Sequence, residues 1–198
     1  MKKSICFLLL LPFITQMNAQ TAKNNAFYLS GELNAGNFIG INLNLNLNFN
    51  EKYSLQAGYS ACTREAASIP DDFSSGILVL FTFGLSELIL ESMENYQVLF
   101  GKIYSLNDLG SIRLNLAGGI AYTVINEPSN WSHITSPNGG PNYTYDMKEY
   151  GTLSLIINPK FEFPFAKYIG ISVSPFLQTN FDKAFIGLGL GLMAGRLK

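Results

Sequence analysis

Charge is scarce in this 198-residue chain: 14% of residues are Asp, Glu, Lys or Arg, and the net charge is −1. Neither sign accumulates enough to make a basic field for nucleic acid or an acidic tail, so nucleic acid is not expected as a partner. Histidine occurs once, as His133, which leaves a single candidate base for histidine-dependent catalysis. The two cysteines are Cys6 and Cys62. Because Cys6 lies in a leader, the remaining chain has one thiol, which excludes an internal disulfide and a cysteine-based metal cluster. Apolar residues make up 47% of the chain, yet no uninterrupted apolar run approaches the roughly 20 residues of a membrane-spanning helix. A helical membrane protein is therefore excluded. The low charge is equally unusual for a surface that faces water on all sides.

The leader begins Met1-Lys-Lys, passes through an apolar stretch from Ile5 to Ile14 and reaches small and polar residues at Met17-Asn18-Ala19. It reads as a secretory signal peptide, residues 1–19, cut near Ala19. Residues 20–198 then make one domain.

The most regular stretch in the chain runs from Phe38 to Asn50. Ile39, Ile41, Leu43, Leu45, Leu47 and Phe49 alternate strictly with Gly40, Asn42, Asn44, Asn46, Asn48 and Asn50. Successive strand side chains point to opposite faces, so this strand has an apolar wall and an amide wall. The same alternation marks strands at 27–34, 53–62, 96–105, 112–122, 151–163, 169–180 and 184–197. These lengths suit tilted membrane strands of about 9 to 11 residues. Residues 63–94 and 124–149 break the pattern and read as long loops. The second, rich in Pro, Gly, Asn and Ser, is expected to hold no ladder. Pro159 and Pro175 each remove a ladder donor and suggest bulges.

The expected fold is all-β: an eight-stranded antiparallel up-and-down transmembrane barrel. Ten strands result if the apolar run from Ile77 to Leu85 is split off with its neighbours, but the spacing from Leu85 to Glu94 is helix-like. Short connections and long loops fall on opposite ends, the pattern of outer-membrane barrels with short periplasmic turns. The polar wall carries Asn, Ser, Gly, Gln and Thr where a water-facing wall would carry Lys and Glu. That wall therefore belongs in a narrow lumen, and the apolar wall faces lipid. Tyr53, Tyr59, Tyr96, Tyr104, Tyr122 and Tyr168 near strand ends suit interfacial girdles.

With its leader, alternating strands and loop parity, the chain resembles the small outer-membrane β-barrel proteins common in Bacteroidota, related in architecture to OmpX and the OmpA barrel. The resemblance implies the bacterial outer membrane as location. The implied partners are outer-membrane lipid and lipopolysaccharide, with a protein partner at the extracellular loops.

Charged strand residues facing lipid cost about 2–4 kcal/mol for Arg or Lys at midplane. Glu32, Lys102, Arg113, Lys160 and Glu162 are therefore assigned, with Asn42, Asn44, Asn46 and Asn48, to a polar network in the lumen. Lys102 shares its wall with Tyr96, Val98, Phe100 and Tyr104, so an outward, snorkelling side chain is its alternative. Leu78, Leu80, Phe81, Phe83 and Trp131 are the candidate interaction residues of the loops, because an apolar run in water marks a contact surface. The only Ser-His pair, Ser132-His133, is the basis for a lipid-modifying hydrolase, but adjacent loop residues rarely hold catalytic geometry. No phosphate loop, metal spacing or catalytic carboxylate pair appears, so neither cofactor nor enzyme activity is expected. The chain reads as a structural or surface-interaction barrel, with a narrow porin-like channel or transporter for small or apolar solutes as the alternative. An eight-stranded lumen is just wide enough for side chains, which ranks conduction second.

Overall fold

A computed structural model describes residues 25–76, 88–107, 110–135 and 139–197. The leader, the apolar run at 77–87 and the cleavage position lie outside the described residues.

Eight strands follow one another in chain order: β1 (Ala26–Gly36), β2 (Ile39–Phe49), β3 (Tyr53–Glu65), β4 (Leu90–Ser105), β5 (Arg113–His133), β6 (Tyr143–Phe163), β7 (Ile169–Thr179) and β8 (Ala184–Arg196). Each pairs antiparallel with the next, and β8 pairs with β1 from Phe27↔Arg196 to Gly36↔Gly187, closing the barrel. Closure leaves no sheet edge along the paired wall. The ten-stranded alternative fails because β3 pairs directly with β4, as at Cys62↔Met93 and Arg64↔Glu91. No space remains in the wall for strands between them.

Alternation sorts the side chains into two walls. Asn42, Asn46, Gln56, Asn95, Asn115 and Asn158 are wholly buried inside the barrel. Leu33, Phe100, Ile120, Leu153, Leu190 and Leu192 are at least 60% exposed on its outside. This is the inverse of a water-soluble barrel, whose apolar wall lies within.

The connections sort by end. One end carries the turns at 50–52, 106–112 and 164–168, and the other carries the connections at 37–38, 66–89, 134–142 and 180–183; these are called here the turn end and the loop end. At the first turn, Asn50 and Glu51 adopt φ of 51° and 57°, the left-handed pair that matches strand twist in a tight hairpin. At the second, Asn107 Oδ1 accepts from the backbone N–H of Ser111 and Ile112 at 2.9 and 3.1 Å, an Asn side chain substituting for ladder contacts.

Several boundaries differ from the sequence reading. Leu90–Glu94, expected in a loop, extends β4. Its helix-like spacing is overridden by the ladder with β3, which places Glu91, Met93 and Asn95 inside. The stretch 124–149 is largely ladder, from Val124↔Gly151 to Ser129↔Asp146 and on to His133↔Tyr143. A register shift between Ser129 and Ser132 absorbs the irregular residues, with Asn130 at φ 55°. Such a bulge takes up an extra residue without ending the pairing. Pro159 and Pro175 face one another without a bulge: the β6–β7 ladder skips them and resumes in the same register, Ile157↔Leu177 before and Phe161↔Val173 after.

Candidate functional site: the bridged lumen and the loop-end hairpin

The lumen is crossed by bonded side chains at successive heights. At the turn end, Arg113 Nη2 donates to Glu162 Oε2 at 2.7 Å, and Nη1 donates to the Leu197 carbonyl at 2.9 Å. Glu162 Oε1 also accepts from the Tyr28 hydroxyl at 2.7 Å. Next to this group, Lys160 Nζ lies 2.5 Å from Glu32 Oε1, and Glu32 Oε2 accepts from Ser174 Oγ at 2.9 Å. Two glycines of β8 make room for this pair. A Cβ on Gly191 would sit 2.5 Å from Glu32 Cγ, and one on Gly189 would sit 2.4 Å from Asn34 Oδ1.

Along β2, whose Asn42 lies toward the loop end and whose Asn46 lies toward the turn end, the amides bond across to neighbouring polar side chains. Gln97 Nε2 donates to both Asn42 Oδ1 and Asn44 Oδ1 at 2.8 Å, while Asn46 Nδ2 donates to Ser30 Oγ at 3.0 Å. Asn48 is buried in the same column. On the facing wall, Asn95 Oδ1 accepts from Gln178 Nε2 and from Thr123 Oγ1, at 2.6 and 2.7 Å. Beyond them stands an aromatic layer: Phe185 packs on Phe38 and Phe176 with centroids 5.6 and 5.2 Å apart. The Arg64 guanidinium caps it, 4.4 Å above the Phe38 ring, a cation–π arrangement. Glu91 joins Arg64 to Lys183, which also meets Glu127 at 2.8 Å.

The structure thus gathers Glu32, Arg113, Lys160, Glu162 and the four amides of β2 in the lumen. Lys102 is corrected: it is on the outer wall, exposed, with its ammonium 5.0 Å from the Tyr104 ring centroid. Its strand parity with Tyr96 and Phe100 dictates this. Arg64, Glu91, Glu127 and Lys183 escaped the sequence reading because three of them fell in presumed loops. The signal that could have found Glu91 is its parity with Asn95 and Gln97, both lumen residues.

The second candidate feature is the β5–β6 ribbon, which rises past the barrel at the loop end. Above Asn126 its β5 strand has no β4 partner, and above Leu155 its β6 strand has no β7 partner. The segment 66–76 packs against it. Ser68 Oγ donates to the Pro128 carbonyl at 2.9 Å and accepts from Trp131 Nε1 at 3.3 Å. Asn142 Nδ2 donates to the Asp72 carbonyl at 2.7 Å, and Tyr143 OH donates to Asp72 Oδ1 at 2.9 Å. That bond to Asp72, with some desolvation and the carboxylate charge, raises the Tyr143 pKa above the usual tyrosine value. Trp131 is central: its ring lies 4.8 Å from Tyr145, 5.8 Å from Phe73 and 6.3 Å from Tyr143. Leu78, Leu80, Phe81 and Phe83 lie outside the described residues. Ser132 and His133 are consecutive in β5, opposite Thr144 and Tyr143, so their side chains project to opposite faces. The His133 ring sits edge-on to Tyr143 at 5.1 Å.

No protein-family model matches the chain, and no curated protein matches it significantly. Among solved structures, it is similar to the OprF N-terminal β-barrel domain of Pseudomonas aeruginosa, with TM-score 0.45 and 12% identity over 86% of this chain and 96% of that one. It is also similar to the outer membrane protein Ail of Yersinia pestis in a phospholipid bilayer nanodisc, with TM-score 0.50 and 15% identity over 86% of this chain and 98% of that one. At this identity the likeness is one of architecture: the chain has the closed antiparallel barrel fold found in Ail.

Proposed function

We propose that residues 20–198 form an integral β-barrel of the bacterial outer membrane, secreted with a leader cut near Ala19, with a structural or surface-interaction role carried by its loop end. The observation that carries this reading is the inverted barrel. A belt of exposed Leu, Ile, Val and Phe surrounds an interior of amides and ion pairs. In water that belt would be a large contiguous apolar patch; in lipid it is the expected outer surface. The fold shared with Ail supports the same reading.

Short turns at one end and the ribbon at the other support an extracellular ribbon, by the rule that outer-membrane barrels keep short turns in the periplasm. Segment 66–76 braces the ribbon, so the surface around Trp131 is presented in a defined shape to the lipopolysaccharide leaflet or to a protein partner. A channel is the weaker reading, since ion pairs, amides and phenylalanines bridge the lumen in turn. Planar-bilayer recording tests the choice. The structural or interaction role predicts a protein that inserts, migrates as a heat-modifiable band and passes no stepwise current, while regular current steps would establish the channel instead.

A further inference from the structure

Lys102 is a cation on a wall that the proposed membrane location turns toward lipid, and no carboxylate among the described residues pairs with it. The same holds for Lys52, its neighbour at the turn end of the β3–β4 ladder; the two segments are joined there by the Ile103 N–H donating to the Lys52 carbonyl at 2.7 Å. Between them lies an open recess of about 560 Å³ at the turn-end rim, lined by Glu51, Lys52, Tyr53, Lys102, Tyr104 and Ser105 among others. Tyr53 is directly opposite Lys102 in the β3–β4 ladder and stacks on Phe100 at 5.8 Å. The floor of the recess is thus aromatic and its cations are held beside the apolar belt. The turn that carries Glu51 and Lys52 is tight, with Asn50 and Glu51 both in the left-handed region, so the position of the acid beside the bases is set by the backbone.

We propose that this recess binds the headgroup of an amine-bearing zwitterionic glycerophospholipid, of the phosphatidylethanolamine type, from the leaflet at the turn end. This deepens the outer-membrane reading and rests on it. The phosphodiester is the group whose charge suits Lys52 and Lys102, and its oxygens accept from their ammonium donors and from the hydroxyls of Tyr53, Tyr104 and Ser105. The lipid ammonium donates to the Glu51 carboxylate. A phosphate alone leaves Glu51 as a repulsive neighbour, and a quaternary choline has no N–H for it. The acyl chains continue along Tyr53 and Phe100, where the exposed apolar wall begins. The arrangement also gives Lys102 a reason to point outward, because its charge is neutralised at the level where headgroups lie.

The test inserts the folded protein into bilayers of equal parts phosphatidylethanolamine, phosphatidylglycerol and phosphatidylcholine. The protein is then released in mild detergent, and the retained lipids are counted by native mass spectrometry. The parent is expected to keep phosphatidylethanolamine in preference to both others, and K52Q/K102Q to lose that preference entirely. E51Q is expected to switch the preference to phosphatidylglycerol. Each variant is checked for the heat-modifiable band, so that a lost preference is read only from folded protein. Equal retention of all lipids by the parent, or an unchanged preference in K52Q/K102Q, overturns the headgroup site while leaving the barrel reading in place. Failure of the parent to enter any bilayer overturns the outer-membrane reading itself, and the site with it.

Discussion

Lys160 and Glu32 meet at 2.5 Å across the lumen, although β7 and β8 stand between their strands on the shorter way round the barrel. Both side chains are wholly buried, so the pair ties separated parts of the wall together through the interior. Removing either partner leaves the other charge buried and uncompensated, which costs roughly 3–5 kcal/mol, whereas replacing both with apolar groups is often close to neutral. Lys160→Met should therefore lower the urea midpoint of the folded barrel strongly, and adding Glu32→Leu should restore most of it. A single variant as stable as the parent would contradict the pairing.

The outer wall responds to charge by depth. Leu190 is in the middle of β8, between Leu33 and Val173, and is 60% exposed. Leu190→Arg in lipid vesicles is expected to cost about 2–4 kcal/mol, while Tyr168→Arg at the turn-end rim should cost about 0–1 kcal/mol. Unfolding titrations of both variants in the same vesicles measure the difference. Equal costs would place one of the two positions at the wrong depth.

Trp131 holds the loop-end ribbon to segment 66–76 through its rings and its bond to Ser68. Aromatic pairs contribute about 0.5–1.5 kcal/mol each beyond their area, and these lie above the closed wall. Trp131→Ala is accordingly expected to speed protease cleavage within 66–76 while leaving the heat-modifiable band of the barrel unchanged. Loss of that band would show that the ribbon stabilises the whole barrel.

Tyr143 reports on the same contact through its titration. Its phenol pKa is raised above the ordinary tyrosine value, first by the hydrogen bond to Asp72, then by desolvation and by the carboxylate charge. Above the ordinary value the unfolded chain gives up this proton while the folded chain keeps it. The contact's contribution is thus complete below that value and is lost as the pH rises through the raised folded one. In a ring-resonance titration by NMR, Asp72→Asn should bring the Tyr143 midpoint down toward the ordinary value. A midpoint indifferent to residue 72 would remove Asp72 as the partner.

Much of the architecture is written locally. In β2 the alternation of Leu and Asn assigns every side chain to a wall, because strand geometry sends neighbours to opposite faces whatever the strand pairs with. The parity of Lys102 is equally local, and so is the preference of Asn50 and Asn107 for turns. The ribbon was not legible in this way. Pro128, Asn130 and the glycines around 139–140 are ladder-breaking residues taken singly. A bulge near Asn130 keeps the β5–β6 pairing going past them, and the bonds from Ser68, Asp72 and Ser74, in a segment some 60 to 70 residues away in the chain, supply partners that those residues lack among themselves. Leu90–Glu94 failed for a related reason: its spacing resembles a helix until β3 offers a ladder.

The sequence by itself determined that the chain forms strands with an apolar wall and a polar wall, and that Glu32, Arg113, Lys160 and Glu162 belong among the amides, since side-chain period and the cost of charge in lipid act residue by residue. Only the tertiary structure decided which partners those charges have. Arg113 meets Glu162 and Arg64 meets Glu91 because each pair is directly opposite in a ladder, β5–β6 and β3–β4, whereas Lys160 with Glu32 and Lys183 with Glu91 reach between elements that do not pair and depend on the register at which β8 closes on β1. That register is set by the summed tilt and stagger of the whole barrel, and no local stretch contains it.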